Sequence, residues 1–155
     1  MTLLPESLEL QVVTPERQMV REEVHEVQVP GRNGYLGILP GHAPLLSELQ
    51  TGELSYRKGT RWSYLSIFWG FVEVLPDRII VLAETGERGE EIDVARARQA
   101  QKRSEERLQH VGDPKVDFDR AQVALQRALI RLQVAGKAGH TVAAGRQAEE
   151  PTHAP

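Results

Sequence analysis

Apolar and polar residues alternate in short runs through the first half of the chain. Leu8, Leu10 and Val12 alternate with Glu9 and Gln11, Val27 and Val29 flank Gln28, and Leu54 and Tyr56 alternate with Ser55 and Arg57. A period of two places successive side chains on opposite faces of a pleated strand, so each run predicts a strand with one buried face. Lys58-Gly59 lies between two such runs and Pro76-Asp77 joins FVEVL to IIVLA, which marks two hairpins. The unbroken apolar run from Ile79 to Ala83 predicts a strand covered on both faces. Short strands at this spacing predict an antiparallel sandwich or flattened barrel of about eight to ten strands.

After Asp93 the period changes. Ala97, Ala100, Ser104, Leu108 and Val111 step by three or four, as do Phe118, Ala121, Leu125, Ala128, Leu132 and Ala135. Each set forms a stripe on one face of a helix. Gly112-Asp113-Pro114 breaks the two apart and Asp117 is placed to cap the second, so the segment predicts an antiparallel helical hairpin. Its seam is largely alanine. Close approach is easy there, but at roughly 25 cal/mol per Å² of apolar surface little stabilisation is gained, which predicts a movable hairpin. Beyond Ala135 the chain reads GKAGHTVAAGRQAEEPTHAP without an apolar period, which predicts a flexible tail over 136–155.

Composition sharpens this division. Seven of the eight aromatics precede residue 72, whereas alanine and arginine crowd the region after Asp93. Residues 1–88 hold eight Lys/Arg against twelve Asp/Glu (−4) and 89–155 hold eleven against ten (+1), so neither half is a basic nucleic-acid domain. No run approaches a membrane span, and the start, MTLLPESLEL, lacks the pattern of a secretory leader, which predicts a chain that works inside the cell. With zero cysteines there is no disulfide, thiolate site or cysteine nucleophile. The five histidines are scattered without metal-ligand spacing, no serine sits in a GxSxG elbow, and Gly31 to Gly37 lacks the lysine and hydroxyl of a P-loop. The chain therefore reads as a protein without catalytic or metal chemistry.

Two features remain. The segment GYLGILPGHAPLL, Gly34 to Leu46, carries three glycines, two prolines and a histidine, which predicts a constrained loop, either a connection between sheets or a docking edge. Secondly, Arg96, Arg103 and Arg107 on the first helix are spaced seven and four apart, and Arg120, Arg127 and Arg131 repeat those intervals on the second. Such stripes are either solvated faces paired with Asp93, Glu105 and Glu106, or a cleft of guanidinium groups suited to phosphate.

LELQVVTPE at Leu8, GxLGILPGHAPLL at Gly34, GFVEV at Gly70 and EIDVARA at Glu91 occur in order and at matching spacing over about 8–135, and together they resemble the epsilon subunit of the bacterial F-type ATP synthase. The resemblance implies an α+β, mainly β fold with a ten-stranded sandwich (1–88) followed by a two-helix hairpin (89–135). It implies a non-catalytic central-stalk subunit that couples ion translocation to ATP synthesis and inhibits ATP hydrolysis through a mobile hairpin. The implied partners are the gamma subunit, the ring of membrane c subunits and, when the hairpin extends, the alpha and beta subunits. The implied place is peripheral, on the cytoplasmic side of the bacterial plasma membrane. Tyr35, Leu36, Gly37, Ile38 and His42 fall at the ring-docking edge. No cofactor is required, but ATP is implied as a regulatory ligand: Ile92, Asp93, Arg96 and Ala97 match the family's I/L-D-x-x-R-A motif, and Glu87, Arg103, Arg127 and Arg131 fall at further positions it uses. The alternative reading is a free-standing nucleotide-sensing module built on the arginine cleft. Phe68-Trp69 departs from the family pattern of small residues, so a large aromatic either fills a pocket in the sandwich or faces a partner.

Overall fold

The alternation read from the sequence is realised at β1 (Leu8–Val13), where Leu8, Leu10 and Val12 are buried and the residues between them are half-buried. A computed structural model describes residues 3–148. It continues with β2 (Gln18–Val24), β3 (Glu26–Gly31), β4 (Gly34–Ile38), β5 (Leu45–Leu49), β6 (Gly52–Lys58), β7 (Arg61–Val74) and β8 (Arg78–Arg88). All pairings are antiparallel except β1 with β8, which is parallel. The sheet runs β2-β1-β8-β7-β5-β3-β4, with β6 bridging β3 and β7, and it wraps around a core of Leu, Val and Ile with Tyr56.

Among the described residues eight strands appear where ten were expected, and one of them, β7, does the work of two. Along β7 the core-facing residues are Leu65 and Ile67, then Val72 and Val74, so odd positions give way to even ones at Phe68-Trp69. Trp69 adopts φ 60°, and the left-handed turn of its backbone reverses the facing of the strand. β6 pairs with the first half of β7 and β5 with the second. The run Ile79 to Ala83 is covered on one face only: Ile79, Val81 and Ala83 are buried but Leu82 is exposed. Its outer face joins Phe71, directly opposite Leu82, rather than a second layer.

The segment from Gly34 is not a loop throughout. Gly34–Ile38 is β4, paired with β3, because glycine at positive φ closes the two-residue turn at Arg32-Asn33 and the pleat then accepts Tyr35 to Ile38. The irregular part is Leu39 to Pro44, where Gly41 takes φ 83°.

A 3₁₀ turn (Gly89–Glu91) leads to α1 (Val94–Gln109), and α2 spans Phe118–Ala148. Ala97 and Ser104 of α1 and Ala121 and Ala128 of α2 are buried, as the stripes predict, while Val111 lies exposed in the turn between the helices. Asp93 caps α1 by accepting from the Arg96 N–H at 3.0 Å, and Asp117 accepts from the Arg120 N–H at the same distance. The second helix does not end at Ala135. It runs on to Ala148 through the first part of the expected tail, since alanine propagates a helix and Val134 and Ala138 find burial against the sandwich. Residues 149–155 of that tail lie outside the described residues.

Candidate functional site

The 3₁₀ turn, α1 and α2 enclose a cleft of about 510 Å³, lined by Glu87, Glu91, Asp93, Arg96, Ala97, Ala100, Arg103 and Arg131. Of the eight residues assigned to nucleotide binding by resemblance, Glu87, Asp93, Arg96, Ala97, Arg103 and Arg131 meet there. Ile92 is buried beside it, and Arg127 does not line it. Its lining carries three carboxylates and three guanidinium groups. A ligand with a polyanionic end and hydrogen-bond donors suits that arrangement.

Two arginines of α2 are already engaged. Arg127 and Arg131, one turn apart on α2, both lie over the buried ring of Phe68, with guanidinium carbons 5.5 Å and 4.6 Å from its centroid. The Arg131 Nε also donates to Glu87 Oε1 at 2.7 Å. Asp93 is occupied by its helix cap, so the expected pairing of arginine with Asp93 is replaced by Glu87 on β8.

A second cluster follows two turns later. Glu53 of β6, a buried carboxylate, accepts from Gln133 Nε2 at 2.8 Å and from Lys137 Nζ at 2.9 Å. The Lys137 ammonium also stands 5.6 Å from the Tyr64 ring centroid. The bond to Glu53 is the main reason the Lys137 pKa is raised above its ordinary value. Next to Lys137, Ala138 packs on Gly89 so closely that a Cβ at Gly89 would lie 2.6 Å from it. At the other side of the 3₁₀ turn, Arg17 and Glu91 form an ion pair at 2.6 Å, and this hydrogen bond holds the Glu91 carboxyl below its ordinary pKa.

Sequence reading missed Glu53, Gln133 and Lys137. Lys137 falls where a tail was expected, and a lone glutamate within a strand gives no signal of burial. At Phe68-Trp69 the two rings part: Phe68 is buried beneath α2, whereas Trp69 is exposed and donates its indole N–H to Glu48 at 2.9 Å.

The docking residues divide. Tyr35 and Gly37 are exposed, and the Tyr35 hydroxyl accepts from the Glu53 N–H at 3.2 Å. Leu36 and His42 are half-buried, with His42 Nδ1 at 2.7 Å from the Ala43 carbonyl oxygen. Ile38 is fully buried, so it belongs to the core and its side chain is not available to a partner. Among the described residues no helix is long and apolar enough to cross a membrane, and no cluster of histidine and carboxylates could hold a metal.

The family model for the beta-sandwich domain of the ATP synthase delta/epsilon chain matches residues 7–89, and that for its long alpha-helix domain matches 90–136. The ATP synthase epsilon chain 2 of Syntrophotalea carbinolica is 48% identical over 136 residues, covering 88% of this chain and 99% of its own. The epsilon chain of Koribacter versatilis is 53% identical over 109 residues, covering 70% and 77%. A chain in the Euglena gracilis mitochondrial ATP synthase (OSCP/F1/c-ring) is similar in fold, with TM-score 0.74 and 19% identity over 90% of this chain and 84% of that one.

Proposed function

This chain belongs to the ATP synthase delta/epsilon chain family, and from that premise we propose that it is a non-catalytic central-stalk subunit of a bacterial ATP synthase with an ATP-responsive hairpin. The sandwich binds the gamma subunit and the ring of c subunits, coupling ion translocation to synthesis. The hairpin restrains hydrolysis when it leaves the sandwich and reaches the alpha and beta subunits. ATP in the arginine cleft favours the compact form. The complex places the subunit at the cytoplasmic side of the plasma membrane, held there peripherally.

The observation that carries this reading is the cleft itself, in which residues from β8, α1 and α2 converge. A ligand spanning it ties the two helices together and stabilises the compact form by RT ln(1 + [ATP]/Kd), about 2.7 kcal/mol at a hundredfold excess over Kd. Copurification from native membranes tests the stalk assignment, which fails if the catalytic head and c ring do not accompany the chain. Calorimetry at millimolar ATP tests the cleft. Arg103→Ala, which removes a charged donor, is expected to weaken binding about tenfold or more. Absence of binding heat with the unmodified chain would falsify the nucleotide role and leave the stalk role intact.

A further inference from the structure

The alanine seam between α1 and α2 says little about what holds the hairpin on the sandwich. That contact is made elsewhere, by the face of α2 from Arg127 to Ala138, and it is built from two anchors with the Arg131–Glu87 ion pair and a close-packed contact beside them. The first anchor is Phe68. It is 1% exposed yet stands outside the main core of the sandwich, because the strand turns it outward before the reversal at Trp69. A large apolar ring on that face needs a cover, and the cover is the pair of guanidinium groups of Arg127 and Arg131. The second anchor is Glu53, a residue 6% exposed whose carboxylate takes one hydrogen bond on each oxygen, from Gln133 and Lys137. Both anchors lose their partners if α2 leaves: Phe68 becomes an exposed ring, and Glu53 exchanges two protein donors for water. Gly89 allows the close contact with Ala138, since any side chain there would push α2 away.

We propose that Phe68 and Glu53 form a latch that keeps the hairpin docked without nucleotide, so that ATP must draw Arg131 away from Glu87 rather than recruit a free arginine. This rests on the reading of the hairpin as the moving element. Its consequence differs from a simple ATP clamp. With the latch intact the compact form persists when ATP is absent, and with the latch cut compactness becomes dependent on ATP.

Hydrogen exchange read by mass spectrometry on the full, nucleotide-free chain tests this, with Gly89→Ala as a wedge that opens the same seam. The unmodified chain is expected to protect α2 between residues 127 and 138. Phe68→Leu, which keeps an apolar side chain but removes the ring, and Lys137→Met, which removes the ammonium from Glu53, are each expected to speed exchange there severalfold. Together they are expected to reach about tenfold or more, with strands β1 to β8 still protected. If Phe68→Leu also loosens the strands, Lys137→Met on the half-exposed side carries the test alone. The latch is overturned if α2 of the unmodified chain is already unprotected, or if the double variant exchanges at the unmodified rate while the Gly89→Ala wedge opens. Millimolar ATP added to the double variant reads the cleft separately: return of protection supports both proposals, and no return counts against the nucleotide site alone.

Discussion

Trp69 is the residue at which local preference and the fold disagree most. A non-glycine residue in the left-handed region costs roughly 1–2 kcal/mol, and here the cost accompanies a reversal that lets one long strand serve both parts of the sandwich. The indole recovers part of it through Glu48 and an edge-on contact with Phe71, with ring centroids 5.3 Å apart. Its neighbour Gly70 is constrained by space. A Cβ at that position would lie 2.1 Å from the Leu82 carbonyl oxygen, which is backbone and cannot swing aside. Gly70→Ala is therefore expected to destabilise the sandwich by about 3 kcal/mol or more, at the upper end of overpacking effects. A urea midpoint within error of the unmodified chain would show that β7 and β8 can separate there without loss. In the period-two pattern the reversal shows only as a change of phase, Ser66 lying between Leu65 and Ile67 but Glu73 between Val72 and Val74, and the angle at Trp69 that produces it cannot be read from the order of side chains.

At the scale of elements, the strands and helices that bury one continuous stripe were the legible ones. β1, β3 and the two helices follow from residues that repeat at two or at three to four, because one face of each has a single environment; in β6 Leu54 and Tyr56 are buried as the pattern predicts, but Glu53 and Ser55 on its other face are buried as well. The end of α2 was not legible, since its stabilising partners, Gly89 and Glu53, are distant in sequence and glycine within the segment argues against a helix. The contacts at that end also carry charge, which makes docking dependent on pH. The pKa of Lys137 is raised by its hydrogen bond to Glu53, so its contribution is fully present below the ordinary lysine value of 10.5 and is lost as pH rises through the raised value. Glu91 has the opposite sign: its pKa is lowered by Arg17, so the tie between the sandwich and the 3₁₀ turn is present above 4.5 and is lost as pH falls through the lowered value. Spin labels on Arg61→Cys and Gln122→Cys, in a chain that has no cysteine of its own, report the separation of sandwich and hairpin. A widening is expected above pH 10.5 and is expected to be absent from Lys137→Met, whose methionine does not titrate. A distance that stays constant through alkaline pH in the unmodified chain would mean that the Glu53 contact does not hold α2.

For the whole molecule, the sandwich and the hairpin differ in what they need from each other. The core of the sandwich is made by residues from Leu8 to Ala83 alone, with no contribution from α1 or α2. The helices bury few large side chains between them, and α2 reaches the sandwich through Phe68, Glu53 and Glu87 and packs on Gly89 of the 3₁₀ turn. Removing everything after Arg88 therefore uncovers the outer face of β6 and β7 but leaves the core complete. The truncated chain is expected to fold and to assemble with its partners, at a lower stability than the full chain because Phe68 is now bare to water. An exposed ring of that size forfeits about 1.5–3 kcal/mol of burial, less than the stability of an ordinary domain. Phe68→Ser in the truncated chain should then improve its solubility, since the residue no longer has a cover to hold. If the hairpin is the brake on hydrolysis, ATP hydrolysis by complexes carrying the truncated chain rises under the conditions that inhibit the intact complex, while ion-driven synthesis continues through the sandwich alone. Steady-state hydrolysis and ion-driven synthesis measured on the same reconstituted preparation separate the two roles. Unchanged hydrolysis removes the brake from the hairpin, and loss of synthesis with normal assembly means that coupling needs the helices as well as the sandwich.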